Sequence, residues 1–147
     1  MSRFIDRISV NGGIPNGLSV EDLYAYSKNL MFDYWEDKDN ISQLKKTEAL
    51  AKKIIEIEDN ERAYDNYFFI LANSGQFNKV FNECKKLLNV DKFRYFALKN
   101  LSDKVFVEKG LLERDKYIEI LKERLSVSKS EMERNYVLSL LKEMGYK

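Results

Sequence analysis

Beyond residue 18 the apolar residues recur every three or four positions, the spacing of helices that each bury one face. Leu23, Tyr26, Leu30 and Tyr34 make the first stripe, which runs to the polar turn Asp37 to Asn40. Ser19 opens it, with Asp22 three residues on in the place that completes a capping box. Leu44, Thr47, Ala51, Ile54 and Ile55 predict a second helix over about 42–58, and Tyr64, Tyr67, Phe68 and Leu71 a third that stops near Ser74-Gly75. A fourth carries Phe77, Val80, Phe81, Cys84, Leu87 and Leu88. A fifth carries Phe93, Phe96, Ala97, Leu101 and Val105 and ends near Gly110; a sixth carries Tyr117, Ile120, Leu121 and Leu125. Ser128 and Glu131 form a second capping pattern, from which a last helix buries Met132, Tyr136, Leu140, Leu141 and Met144 before Gly145 ends it. Seven helices joined by short turns predict an all-α fold of antiparallel neighbours.

The first 18 residues break the pattern. Phe4, Ile5, Ile8 and Val10 precede Asn11-Gly12-Gly13-Ile14-Pro15-Asn16-Gly17, a run of turn formers, so residues 1–18 read as a non-helical arm and 19–147 as one helical domain. The glycine order fits neither the dinucleotide fingerprint nor the P-loop, and a plain turn is the better reading. The apolar side chains of the arm have no evident place among the helices, which makes it a candidate for joining two copies as a homodimer.

Composition narrows the class. With 147 residues, 44% hydrophobic and 33% charged, the chain is too apolar for disorder and too charged for a membrane protein. Its longest apolar runs, such as Tyr67 to Ala72, are far short of the about 20 residues of a membrane span. One cysteine makes no internal disulfide and gives no metal motif, so a cytoplasmic location is expected. The abundance of lysine and asparagine suits an AT-rich bacterial or phage genome.

Sliding the chain against itself by 33 residues places Leu44 on Phe77, Thr47 on Val80, Ala51 on Cys84, Ile54 on Leu87, Ile55 on Leu88, Ile57 on Val90 and Glu58 on Asp91. Met31, Tyr34 and Trp35 fall on Tyr64, Tyr67 and Phe68. With this period the chain resembles the tetratricopeptide repeat family, whose unit is a pair of antiparallel helices of about 34 residues. The likeness covers residues 31–91 and is closest over Tyr64 to Lys92. There Tyr64 and Leu71 occupy large positions of the first helix, Gly75-Gln76-Phe77 the turn, Val80 and Leu87 the small positions of the second helix, and Asp91 the closing acidic position. Phe68, Val80 and Lys92 depart from the small residues and proline usual in the family, so the repeat is degenerate. The resemblance implies a short tetratricopeptide-like α-solenoid; the alternative is an irregular helical bundle. In such an array the last helix shields the final hydrophobic face.

The chain has no histidine, the commonest general base and metal ligand at neutral pH. Cys84 lies on an apolar stripe and reads as a core thiol. Asp33, Glu36, Asp37 and Asp39 show no calcium-loop register and read as a solvated helix end. No catalytic residue, cofactor or metal site is therefore predicted, and the chain is read as a non-enzyme. Charge is uneven: residues 19–43 carry a net −4 and residues 76–104 a net +4. The second stretch holds Lys79, Lys85, Lys86, Lys92, Arg94, Lys99 and Lys104, interleaved with Phe93, Tyr95 and Phe96.

Together these features predict a protein-interaction or regulatory module, an adaptor that grips a peptide or helix of a partner protein. By analogy with the family the inner helices do the gripping, which makes Asn66, Tyr67, Asn73 and Asn100 the expected partner-binding residues. The alternative is a small phage or mobile-element regulator that binds nucleic acid, or an enzyme acting on it, through residues 79–104.

Overall fold

A computed structural model describes residues 18–146. Among these there are eight α-helices and no strand: α1 (Val20–Glu36), α2 (Ile41–Glu58), α3 (Glu61–Asn73), α4 (Phe77–Leu87), α5 (Arg94–Leu101), α6 (Val105–Glu108), α7 (Arg114–Ser126) and α8 (Glu131–Glu143). A short 3-10 turn, Asp91–Phe93, precedes α5. The all-α class follows the periodicity. The N-terminal arm, apart from Leu18, lies outside the described residues, and its expected role in joining two copies lies there with it. The chain divides into two compact units, Met1–Gln76 and Phe77–Lys147.

In the first unit every helix starts on a side chain that accepts a backbone N–H. The Asp22 N–H donates to Ser19 Oγ at 3.2 Å while the Ser19 N–H donates to the Asp22 carboxylate at 3.1 Å, the expected capping box. Asn40 accepts from the Gln43 N–H at 3.0 Å, and Asn60 from the Ala63 N–H at 2.9 Å. Turns this short fold α2 back on α1 and α3 back on α2, the two helix pairs that pack most extensively in this unit. Leu23, Leu30, Leu50, Ile54 and Ala63 form the core between them, with Tyr24 at its edge. Each large apolar side chain buried this way contributes about 1.5–3 kcal/mol. Tyr26 and Leu44, expected in the core, are half-buried, while Tyr24 and Leu50 are buried.

The 33-residue offset persists in the burial pattern of the two helices concerned. Thr47, Ala51 and Ile54 are the counterparts of Val80, Cys84 and Leu87, and all six are buried. Leu44 and Ile55, with their counterparts Phe77 and Leu88, are all half-buried. The helix ends diverge: α2 runs to Glu58, whereas α4 stops at Leu87, four residues short of Asp91.

In the second unit α5 packs against α4 and α7, and α7 against α8. Two expectations are corrected here. The predicted fifth helix breaks after Leu101, because Ser102 Oγ donates to the Leu98 carbonyl at 2.6 Å and the buried Tyr117 hydroxyl donates to the Ser102 carbonyl at 2.7 Å. The chain then turns into α6, so that Phe106 rather than Val105 is buried. The last helix is capped by Ser130, which accepts from the Glu133 N–H at 3.2 Å, and not by Ser128, whose hydroxyl donates to the Arg124 carbonyl. The start moves by two residues and the buried face rotates with it. Met132 is therefore 83% and Tyr136 54% exposed, while Val137, Leu140 and Leu141 are buried.

Candidate functional site in the first unit

In the first unit a groove of about 580 Å³ lies between α1 and α3. Two helical stripes build it. Glu21, Tyr24, Ala25 and Lys28 come from α1, and Arg62, Asp65, Asn66 and Phe69 from α3, each set at the spacing that keeps it on one helix face. The helices run parallel across the groove: Glu21 meets Arg62, Ser27 meets Asn66 and Trp35 meets Phe69, in the same order along both.

At one end the Arg62 guanidinium grips Glu21 with two hydrogen bonds, of 2.6 and 2.8 Å, and lies 3.8 Å from the centre of the Tyr24 ring. The hydrogen bond from Arg62 holds the Glu21 carboxyl below its usual range. Tyr24 is buried beneath the guanidinium, and its hydroxyl has no hydrogen-bond partner among the described residues. Burial, with the charge of Glu58 adding to it, raises the phenol's pKa. In the middle, Asn66 Nδ2 donates to Ser27 Oγ at 3.2 Å.

At the other end the groove opens onto aromatic rings. Phe69 is 48% exposed and stands edge-on to Trp35 at 5.9 Å between ring centres; Trp35 stands edge-on to Phe32, 54% exposed, at 5.3 Å. Phe32 and Phe69 leave their rings in water on either side of the half-buried Trp35, at a cost in hydration free energy with no packing in return, which marks a surface able to gain by being covered. Glu21 and Asp65 balance Lys28 and Arg62, so the groove carries both signs of charge beside an apolar end.

The predicted partner-binding residues fare differently. Asn66 lines the groove. Asn73 is exposed one turn beyond Phe69 on the same stripe, with Nδ2 donating to the Phe69 carbonyl at 2.7 Å. Tyr67 is only 5% exposed and packs inward, its ring 6.2 Å from that of Phe68. Asn100 belongs to the second unit, where its Nδ2 donates to the Phe96 carbonyl at 2.9 Å. Glu21, Tyr24, Lys28, Arg62 and the exposed rings are absent from the predicted site. The phase of Phe32 and Phe69, apolar residues off the buried stripe, is the signal that finds two of them.

Much of the basic stretch in the second unit is engaged. Arg94 pairs with Glu123 and donates to the Leu88 carbonyl, Lys104 pairs with Glu143, and Lys86 lies 3.4 Å from Glu83. Lys85, Lys92 and Lys99 lie over the rings of Phe81, Phe93 and Tyr95. Lys79 is exposed. Cys84 is fully buried in this unit, which pushes its thiol pKa up to about 12. Among the described residues no group of His, Cys, Asp and Glu side chains is placed to hold a metal ion, and no helix is long and apolar enough to cross a membrane.

No family model matches the chain, and no curated protein or solved structure is detectably similar to it.

Proposed function

We propose that the chain is a non-catalytic protein-interaction module that binds a peptide or helix of a partner protein across the α1–α3 groove. The observation that carries this reading is the pair of exposed rings, Phe32 and Phe69, on either side of the half-buried Trp35 at the open end of a groove lined by charges of both signs. A bound segment would cover the rings with an apolar side chain and meet Lys28 and Asp65 with its own charges, an arrangement typical of helix-in-groove recognition. Parallel α1 and α3 joined through α2 support a tetratricopeptide-like succession of helices within the first unit as the scaffold.

Trp35 is the only tryptophan, so its emission reports directly on the cluster. Peptides selected against the full chain from a random display library should shift that emission. Their affinity should fall at least about tenfold in Phe69→Ala, the loss expected for a central aromatic anchor. Selected peptides that leave the emission unchanged and bind Phe69→Ala and Arg62→Ala as well as the parent chain would refute the proposal.

The competing reading, a regulator that binds nucleic acid through residues 79–104, draws on the net charge of residues 77–146, fifteen basic against eleven acidic side chains. The pairing of Arg94, Lys86 and Lys104 with carboxylates weighs against it, since each partner must be displaced before a phosphate can take its place. Binding to random-sequence DNA that weakens steeply with added salt would favour this reading.

A further inference from the structure

The end of α5, the turn after it, α7 and α8 enclose a polar cleft of about 490 Å³ in the second unit. On its wall is Arg124, only 8% exposed. A guanidinium has five N–H donors, and a buried one is costly unless acceptors meet them. Arg124 uses Nε, which donates to Glu133 at 3.2 Å, and its guanidinium lies 5.3 Å from the Tyr136 ring centre. Among the described residues no acceptor meets Nη1 or Nη2. Nor are these atoms sealed away, since the buried polar atoms without partners are the hydroxyls of Tyr24 and Tyr95. The free donors of a nearly buried arginine thus reach solvent at the cleft.

Two more cations line the same cleft, Lys99 and Lys104. Its carboxylates are already engaged: Glu143 by Lys104, and Asp103 by the Val105 N–H at 3.0 Å. A carboxylate can accept from both Nη groups but carries a single charge and no further oxygen. A phosphate monoester accepts from both Nη groups, carries nearly two charges and has a third oxygen to face Lys99. We propose that this cleft binds the phosphate group of a small phosphate monoester, with Arg124 as the fixed donor and Lys99 closing on it, while Lys104 stays on Glu143 and keeps that carboxylate from repelling the anion. The volume falls in the range of small-molecule sites, well above what the anion alone needs, so an organic remainder fits beside the half-exposed Tyr136 ring.

The test is titration of the full chain with phenyl phosphate, and separately with benzoate, at low ionic strength, followed by calorimetry and by amide chemical shifts. The expected result is saturable binding of one phenyl phosphate, at least about tenfold tighter than benzoate, with shifts at Lys99, Ser102 and Arg124. Arg124→Met should abolish it. Because loss of the buried Arg124 also disturbs the fold, Lys99→Met with Lys104→Met gives a second measure, removing one cation and leaving Glu143 unpaired beside the anion, and should weaken binding by about tenfold or more. Lys85→Met, on another face of the unit, should leave it unchanged. Absence of saturation, equal affinity for benzoate, or full retention of binding in the Lys99/Lys104 double variant would each overturn the proposal.

Discussion

In residues 18–76 all three helices begin on a side-chain cap, Ser19, Asn40 or Asn60, and run for 17, 18 and 13 residues. In residues 77–146, α5 and α7 begin with no side-chain cap, and α5 and α6 are only eight and four residues long. Helices this short do not hold themselves in water, because nucleation is costly and few hydrogen bonds repay it. The first unit is therefore specified largely by local signals and the second by contacts between residues distant in sequence. Tyr117 is the clearest of these contacts: its ring is fully buried, and its hydroxyl fixes the turn at Ser102, fifteen residues back.

The sharpest way to break this contrast is to remove that ring. Tyr117→Ala should destabilise the second unit by about 3–5 kcal/mol, as expected for deleting a large buried aromatic. Amide exchange should then accelerate throughout α5 to α7 and far less at Leu50 and Ile54 of α2. Equal acceleration in both would show that the units unfold as one.

Tyr117→Phe asks a narrower question and should cost about 1–2 kcal/mol, because the Ser102 carbonyl loses its donor. It also has a signature in pH. Burial raises the Tyr117 pKa to about 12 from its ordinary 10, so the folded state favours the neutral phenol. That contribution is fully present below pH 10 and is lost as pH rises from 10 to 12. Denaturant midpoints of parent and Tyr117→Phe should draw together over this window; curves that stay parallel would remove Tyr117 from the account.

The first unit should respond less to any one change. Asn60→Ala deletes the cap of α3 and should cost about 1 kcal/mol in chemical denaturation. The smallest effect belongs to Arg62→Ala, which should lower the denaturation midpoint less than Asn60→Ala does, because the pair with Glu21 is solvent-exposed and the contact with the Tyr24 ring is the main loss. A large loss in that variant would mean that Arg62 holds the fold and not only the groove.

The same contrast explains what could be read in advance. The starts of α1 and α2 and the end of α3 follow from Ser19-x-x-Asp22, the turn 37–40 and Ser74-Gly75, all local patterns. Ser128-x-x-Glu131 and Ser130-x-x-Glu133 satisfy the same rule two residues apart, and only packing of Val137 and Leu141 chooses between them. No glycine or proline announces the break at Ser102, because a tyrosine elsewhere in the chain makes it. In the candidate site Asn66 was reached only through the analogy with the repeat family, which named the buried Tyr67 along with it. The Glu21–Arg62 pair, separated by 41 residues, depends on how α1 and α3 lie together, and no spacing rule reaches that far.

The burial of Cys84 has a consequence for handling and for the chain's surroundings. Burial holds the thiol far above its ordinary pKa, so it stays protonated at neutral pH, and the chain holds no second cysteine to trap it. The thiol of the folded protein should pass between reducing and oxidising media unchanged. Alkylation by iodoacetamide would then proceed only as fast as α4 transiently opens, making that one atom a built-in clock for the second unit's breathing.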